Sequence, residues 1–358
     1  MKSKLNFLLA FSILFACTSL VFAADATKYH VTAHYAIPGD GGWDYLSLAP
    51  DGARLFITRA THVQVVDTAS GKLLGGIPDT AGVHGVAVVH DLGLGVTSNG
   101  KANSLTFFDL ATLKKTGEVK AGNKPDAIIY DPFSHHVFAF NGNSHDATVV
   151  DPAKAQAPAA GSAALPQAPA VIATIPLDGA PEFAATDLRG HIFANLEDKN
   201  EMVEIDAQNN TVLAHWPLTG CDGPTGLAID RIHNRLFSVC SNQIMTVLDT
   251  VSGKLVATVP IGKRPDAAAF DAALGLAFSS NGDGTLTVVR QDSADKYSVT
   301  QTVPTAVGAR TLALDPKSHK LYLVTAKFGP TPAPTAERPR PRPAMIPGTF
   351  EVLVVAEK

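Results

Sequence analysis

The sequence predicts an all-β protein, a seven-bladed β-propeller of four-stranded antiparallel blades whose ring is closed by the N-terminal strand joining the last blade. Three observations carry this. Val, Thr, Phe, Gly and Pro recur throughout the 358 residues while amphipathic helical runs are scarce, which is the composition of short strands joined by turns. An apolar strand opens seven times, in WDYLSLAPDG, HGVAVVHD, PDAIIYDP, PEFAATDLRG, PTGLAIDR, PDAAAFDA and RTLALDP. The residues that open it are Asp44, His84, Asp126, Glu182, Thr225, Asp266 and Arg310, spaced 40, 42, 56, 43, 41 and 44 apart. A second register, the end of the third strand, falls at Asp67, Asp109, Asp151, Asp206, Asp249 and Arg290, spaced 42, 42, 55, 43 and 41. The two registers share one period and one outlier, and a unit of about 42 residues with four short strands is a propeller blade.

The elements follow in order within each unit. In the third, DAIIYD is the first strand, HVFAFN the second and ATVVD the third; KLVATVPI shows the fourth-strand type in the fifth unit. The seventh unit supplies TLALD, KLYLVTA and TFEVLVVAE and then the chain ends. Its missing fourth strand is YHVTAHYAI, Tyr29 to Ile37, which pairs beside residues 349–357 and removes the open edges. Opener and third-strand end are 23 to 25 residues apart in the first six units, so the excess of the third unit lies after Asp151. It coincides with PAKAQAPAAGSAALPQAPA, too poor in large apolar residues to pack. A second tract, GPTPAPTAERPRPRPAMIPG, splits the seventh unit. Both are expected as disordered insertions (about 152–170 and 329–348) in a single domain spanning residues 24–358.

Residues 1–23 read as a signal peptide, with Lys2 and Lys4, an apolar run from Leu5 to Val21, and VFA before Ala24. A periplasmic or secreted address follows, with no membrane-spanning segment after cleavage. The alternative is a lipoprotein, for which LFAC ending at Cys17 is the relevant box. Removing 1–23 takes away two lysines and no acids, moving the formal charge from −4 to −6, which argues against a general polyanion binder. Cys221 and Cys240 are then the remaining cysteines. One enters the first strand of the fifth blade and the other ends its second strand, so a disulfide is expected in an oxidising compartment. No haem-attachment, P-loop, Gly-x-Ser-x-Gly or His-Glu-x-x-His motif is present.

The second strands end in the quartets FITR, VTSN, FAFN, IFAN, FSVC, FSSN and YLVT, and DTASGK and DTVSGK turns begin at Asp67 and Asp249. With these the chain resembles the YVTN β-propeller repeat family, the YncE-like secreted bacterial proteins, over essentially its whole mature length. The resemblance implies a seven-bladed propeller outside the cytoplasm and carries over no catalytic motif. Arg59, Cys240 and Thr325 stand where the quartets otherwise end in Asn.

First strands line the channel of a propeller, so the seven openers are expected to ring one mouth of it. Asp44, His84, Asp126, Glu182, Asp266 and Arg310, with Asn141 and Asn281 from the quartets, are the candidate ligand-binding residues. Carboxylates and Asn at strand ends also cap loop N–H groups, a purely structural use. Three functional readings remain open. The first is a binding or protein-interaction module, a monomer without certain cofactor, whose Asp126, Glu182 and Asp266 face one another and suit a divalent cation such as calcium. The second is a metal-dependent, lactonase-like hydrolase drawing an acid–base pair from Asp126, Asp266, Glu182 and His84. The third is a nucleic-acid or anion binder using the basic rim of Arg310, Lys327, Arg338, Arg340, Arg342, Lys263 and Arg264, with Trp43 and Phe328 for stacking. His135 and His136 belong to a turn on the opposite face.

Overall fold

The structure, a computed structural model, describes residues 28–155, 169–335, 341 and 343–358. It contains seven four-stranded antiparallel sheets, six of them formed by consecutive strands. The first strand of each sheet contacts the first strands of the sheets before and after it, and the seventh meets the first, so the sheets ring a channel as a seven-bladed β-propeller. The leader-like residues 1–23 and most of the Ala/Pro tract lie outside the described residues. Of the second tract, the ends are described and form a ladder stem: Phe328 bridges Met345, Gly329 N–H donates to Ala344 O at 2.9 Å and Ile346 N–H to Lys327 O at 2.8 Å. Among the described residues no helix is long and apolar enough to cross a membrane.

Blade three shows how the sequence builds the unit. Its strands are Pro125–Asp131, His136–Asn141, Asp146–Asp151 and Ala170–Pro176. The second and third present buried side chains on both faces, Val137, Phe138, Ala139 and Phe140 beside Ala147, Val149 and Val150, because each face packs on a neighbouring blade. That is why these strands read as continuous apolar runs instead of alternating. Outer strands alternate, as in Thr211–Pro217, since one face meets solvent.

The Asp that ends each third strand caps the turn that follows. Asp67 accepts from Ser70 N–H at 2.8 Å, Asp109 from Thr112 N–H at 2.7 Å, Asp206 from Asn209 N–H at 2.8 Å and Asp249 from Ser252 N–H at 2.8 Å. This is the Asx-turn use of a short carboxylate, and it explains the aspartates of the second sequence register as architecture. Gly71 and Gly253, in the two Ser-Gly-Lys turns, have φ of 72° and 67°. Each leaves room for an aromatic ring of an outer strand, Tyr35 on one and Trp216 on the other.

The closing strand, His30–Ala36, pairs antiparallel with Glu351–Ala356 and completes blade seven. Ile37 N–H extends the ladder to Phe350 O at 3.0 Å. Tyr29 is buried edge-on against Phe278 of blade six, 5.2 Å between ring centroids. Gln301 clamps its backbone from both sides, accepting from Tyr29 N–H at 2.9 Å and donating to Tyr29 O at 2.7 Å. Cys221 and Cys240 are joined by a disulfide with Cα atoms 5.5 Å apart.

Deleting residues 24–38 therefore removes a ladder, a buried Tyr and the last edge strand at once. The truncated protein is expected to lose its cooperative thermal transition or to aggregate through the bared strand Glu351–Ala356. Differential scanning calorimetry showing an unchanged transition would contradict this closure.

Candidate functional site at the channel mouth

The openers of five blades share a backbone device that the sequence does not announce. Pairing of the first and second strands slips at the opener in blades two to six, between Val83 and Gly85, Pro125 and Ile128, Pro181 and Ala184, Pro224 and Leu227, and Pro265 and Ala267. A β-bulge breaks the strict in–out alternation and re-aims the side chain at that point. His84, Asp126, Glu182, Thr225 and Asp266 each fall within such an irregularity.

On one side of the mouth, blades one to three bring Asp44, His84 and Asp126 together. His84 Nδ1 lies 2.5 Å from Asp44 Oδ2 and 3.2 Å from Asp126 Oδ1, and Lys124 Nζ lies 2.9 Å from Asp126 Oδ2. Burial works against the charge on His84, but the hydrogen bond to Asp44 and the charges of Asp126 and Asp44 outweigh it and raise its pKa. Lys124 is raised in the same way, burial being overcome chiefly by Asp126. Its backbone sits at a φ of 56°, a left-handed conformation that an L residue other than Gly adopts at a cost. Asp44, His84 and Lys124 border a cleft of about 560 Å³ whose walls include Trp43, Lys101, Asn103, Asn123 and Asn143, and Asp126 is buried behind them.

Across the channel, Tyr45 of blade one reaches Glu182 and Phe183 of blade four. Its hydroxyl donates to Glu182 Oε2 at 3.2 Å and its ring stands edge-on to Phe183 at 4.9 Å, so the contact links blade one to blade four. Burial pushes Glu182 up to about 8, with Asp126, Glu197 and Asp266 adding to it. Asp266 is pushed up to about 7, again first by burial; Arg310 opposes this, and Asp44 and Asp126 reinforce it. Arg310 Nη1 is 2.9 Å from Asp266 Oδ2, close enough for an ion pair, yet that oxygen has no aligned hydrogen-bond donor. Geometry thus gives Asp266 a partner that steadies its charge only in part.

The loop that carries Trp43 and Asp44 is held from beneath by Arg59, which is fully buried. Its guanidinium donates to Gly39 O at 3.1 Å, Gly41 O at 3.0 Å and Gln64 Oε1 at 2.7 Å, and lies 3.7 Å over the Phe350 ring. Burial lowers its pKa to about 10. The Arg that replaces the quartet Asn in blade one therefore builds the loop of the site.

Several expected site residues lie elsewhere. Asn141 and Asn281 are fully buried and face into their blades: Asn141 Nδ2 donates to Thr148 Oγ1 at 2.9 Å, and Asn281 Nδ2 to Thr287 Oγ1 at 3.0 Å. They lie behind the mouth and not on its lining, because the last side chain of the second strand is directed to the third. Asn99 does the same with Thr106. Asn195, whose blade has Val203 at that place, turns instead to Thr225 O of blade five. Thr225 donates to Pro265 O at 3.2 Å and links blades. The expected cation set of Asp126, Glu182 and Asp266 is also regrouped. Among the described residues, the three side chains whose donor atoms lie within 4.8 Å of one another are Asp44, His84 and Asp126. Asp126 belongs with its neighbours in blades one and two. Of the expected basic rim, Arg338, Arg340 and Arg342 lie outside the described residues. Arg264 is occupied at the mouth face by Gly282 O, at 2.6 Å.

No family model and no curated protein matches the chain. Solved structures do. Hydrazine synthase of Kuenenia stuttgartiensis superposes with a TM-score of 0.66 at 17% identity, covering 80% of this chain and 94% of that one. The WD40 repeats of RRP9 give 0.72 at 9%, covering 93% and 98%. A chain of a mitotic checkpoint complex gives 0.70 at 14%, covering 89% and 95%. At these identities the likeness is one of fold.

Glu182 and Asp266 titrate near 4 in an unfolded chain but at about 8 and about 7 when folded. Between those limits the native state holds more protons than the unfolded one, so stability falls as pH rises. His84, whose pKa is also raised, acts in the same sense. The melting temperature is expected to decrease from pH 5.5 to pH 8.5, measured by circular dichroism at constant ionic strength. A flat or rising profile would contradict the electrostatics described.

Proposed function

We propose that this propeller is a secreted or periplasmic binding module of the YVTN-repeat type, with its ligand seat at the channel mouth and the adjoining cleft of blades one to three. The observation that carries the reading is the set of bulges at the openers, which seats His84 on the cleft wall beside Asp44 and leaves Asp126 near enough to act on the charges of His84, Glu182 and Asp266. There burial pushes Glu182 up to about 8 and Asp266 up to about 7, while the neighbouring carboxylates raise His84. Strand capping does not require this, since the Asp residues that end third strands cap their turns at the periphery with ordinary Asx geometry. Perturbed titratable groups converging on a concave site are the usual mark of a binding or reactive site.

The cleft suits a small polar molecule. Trp43 offers an apolar wall, Asn103, Asn123 and Asn143 supply amides or backbone groups, and Lys101, Lys124 and Asp44 supply charges of both signs. Its volume of about 560 Å³ falls within the range of small-molecule sites. The hydrolase reading draws on one specific feature, an imidazole oriented by a carboxylate at the cleft wall, the arrangement of a general acid or base.

Lys101 and Asn143 are exposed residues of the cleft wall. A thermal-shift screen of small organic acids, amines and sugars, run with a chelator present, should find ligands that raise the melting temperature. At a hundredfold excess over Kd the stabilisation is about 2.7 kcal/mol. The double variant Lys101→Ala with Asn143→Ala is expected to melt as wild type alone and to lose most of the ligand-induced shift. A screen with no shift, or shifts equal in the variant, would place the function elsewhere.

A further inference from the structure

The cleft wall holds a group whose geometry hydrogen bonding alone does not account for. His84 Nδ1 faces two carboxylate oxygens at once, Asp44 Oδ2 at 2.5 Å and Asp126 Oδ1 at 3.2 Å. A ring nitrogen carries at most one proton and donates it along one direction. Three donor atoms from three separate blades therefore converge where a single proton serves only one of the two carboxylates. From this convergence we infer that Asp44, His84 and Asp126 form the protein half of a divalent metal site open to the cleft, an inference that rests on the cleft being the ligand seat.

The surroundings fit that use. Each ligand is fixed by its backbone: Asp44 N–H donates to Thr58 Oγ1 at 3.2 Å, Tyr45 N–H to His84 O at 3.1 Å, and Ser98 Oγ to Asp126 O. The imidazole is seated against Gly100, where a Cβ would lie 2.8 Å from both Cδ2 and Nε2, so only Gly allows the ring its place with Nδ1 turned inward. Lys124 binds the outer oxygen of Asp126 at 2.9 Å, leaving Oδ1 for the ion and neutralising part of the charge. Supporting partners of this sort orient ligating carboxylates in metal sites. Three protein ligands with the remaining positions open to a cavity is the pattern of a site that binds an exogenous molecule or water on its metal.

The donor set names the class of ion. One imidazole nitrogen and two carboxylate oxygens suit a borderline ion such as Mn(II), Co(II) or Zn(II), whereas calcium takes six to eight oxygens. The central carboxyls Glu182 and Asp266 are not part of this site. A calcium site built on them is a different proposal, and the test below separates the two.

The experiment uses the chelator-treated full mature chain titrated with Mn(II) and Co(II) in equilibrium dialysis and by visible and pulsed electron paramagnetic spectroscopy. The expected result is one ion per chain, with a nitrogen coupling on bound Mn(II). Asp44→Asn and His84→Gln each should weaken binding by at least the 10- to 100-fold that loss of an outer-shell partner costs while melting cooperatively, and the Glu182→Gln with Asp266→Asn double variant, which removes the calcium alternative, should still bind one ion with the nitrogen coupling. Absence of stoichiometric binding at millimolar metal, absence of a nitrogen coupling in the wild type, or undiminished binding by a folded His84→Gln protein would each overturn the site. The cleft reading has its own outcome, since its screen is run without free metal: organic ligands that still shift the melting temperature leave that reading standing when the metal site fails.

Discussion

Pairing of His30–Ala36 with Glu351–Ala356 is the constraint on which the rest of the molecule depends. Seven sheets packed in sequence leave blades one and seven each with an uncovered face unless the first and last meet. The strand that joins them also leads directly into the site. Immediately after Ile37 the chain enters the loop that Arg59 grips by its carbonyls, and that loop delivers Trp43 to its packing on Phe350 and Asp44 to His84. Closure of the ring and placement of the first site residue are one event. The Arg59 guanidinium, buried on the Phe350 ring of blade seven and bonded to the loop of blade one, is the joint between them.

Once the ring is closed, its mouth becomes an electrostatic compromise. Seven strand starts point at one axis, and a bulge at five of them turns side chains inward instead of letting them alternate. Some resulting charges are compensated within contact distance, Asp126 by Lys124 and His84, Asp44 by His84. Glu182 is compensated less well, having a hydroxyl donor in Tyr45, and Asp266 has an ion pair lacking hydrogen-bond alignment. The two halves of the mouth therefore differ in kind. Blades one to three hold a neutralised, closely spaced group beside a cleft, while blades four and six hold carboxyls that burial pushes up to about 8 and about 7.

Much of this was legible in the sequence, for reasons tied to individual residues. The openers recur because a bulge position tolerates and re-aims a polar side chain, and the third-strand Asp recurs because an Asx turn needs a short acceptor. Both periods thus reported the blade count correctly while having unrelated causes. The quartet residues Asn99, Asn141 and Asn281 bond within their blades and do not line the mouth, and the sequence carries a signal for this. A Thr follows seven residues after Asn99 and Asn141 and six after Asn281, and these are the partners they bond. Lys124 and Tyr45 each stand within two residues of an opener, yet their importance lies in contacts to Asp126 across a bulge and to Glu182 across the channel. Gly100 was silent for a similar reason, since its value is the space it leaves for a ring sixteen residues earlier in the chain. Periodicity reports which residues share a place in the blade. It does not report which blades exchange contacts through the axis.

The central claim is that the mouth carboxyls serve a ligand and not the architecture, and their own contribution to stability tests it directly. The measurement is the melting temperature at pH 8.5, without added ligand, of the Glu182→Gln with Asp266→Asn double variant against wild type. Neutral isosteres keep the shape and remove charges that burial and mutual repulsion disfavour. The account predicts that the variant melts higher than wild type. A variant that melts lower would show that these carboxylates hold the ring together, and would contradict the account.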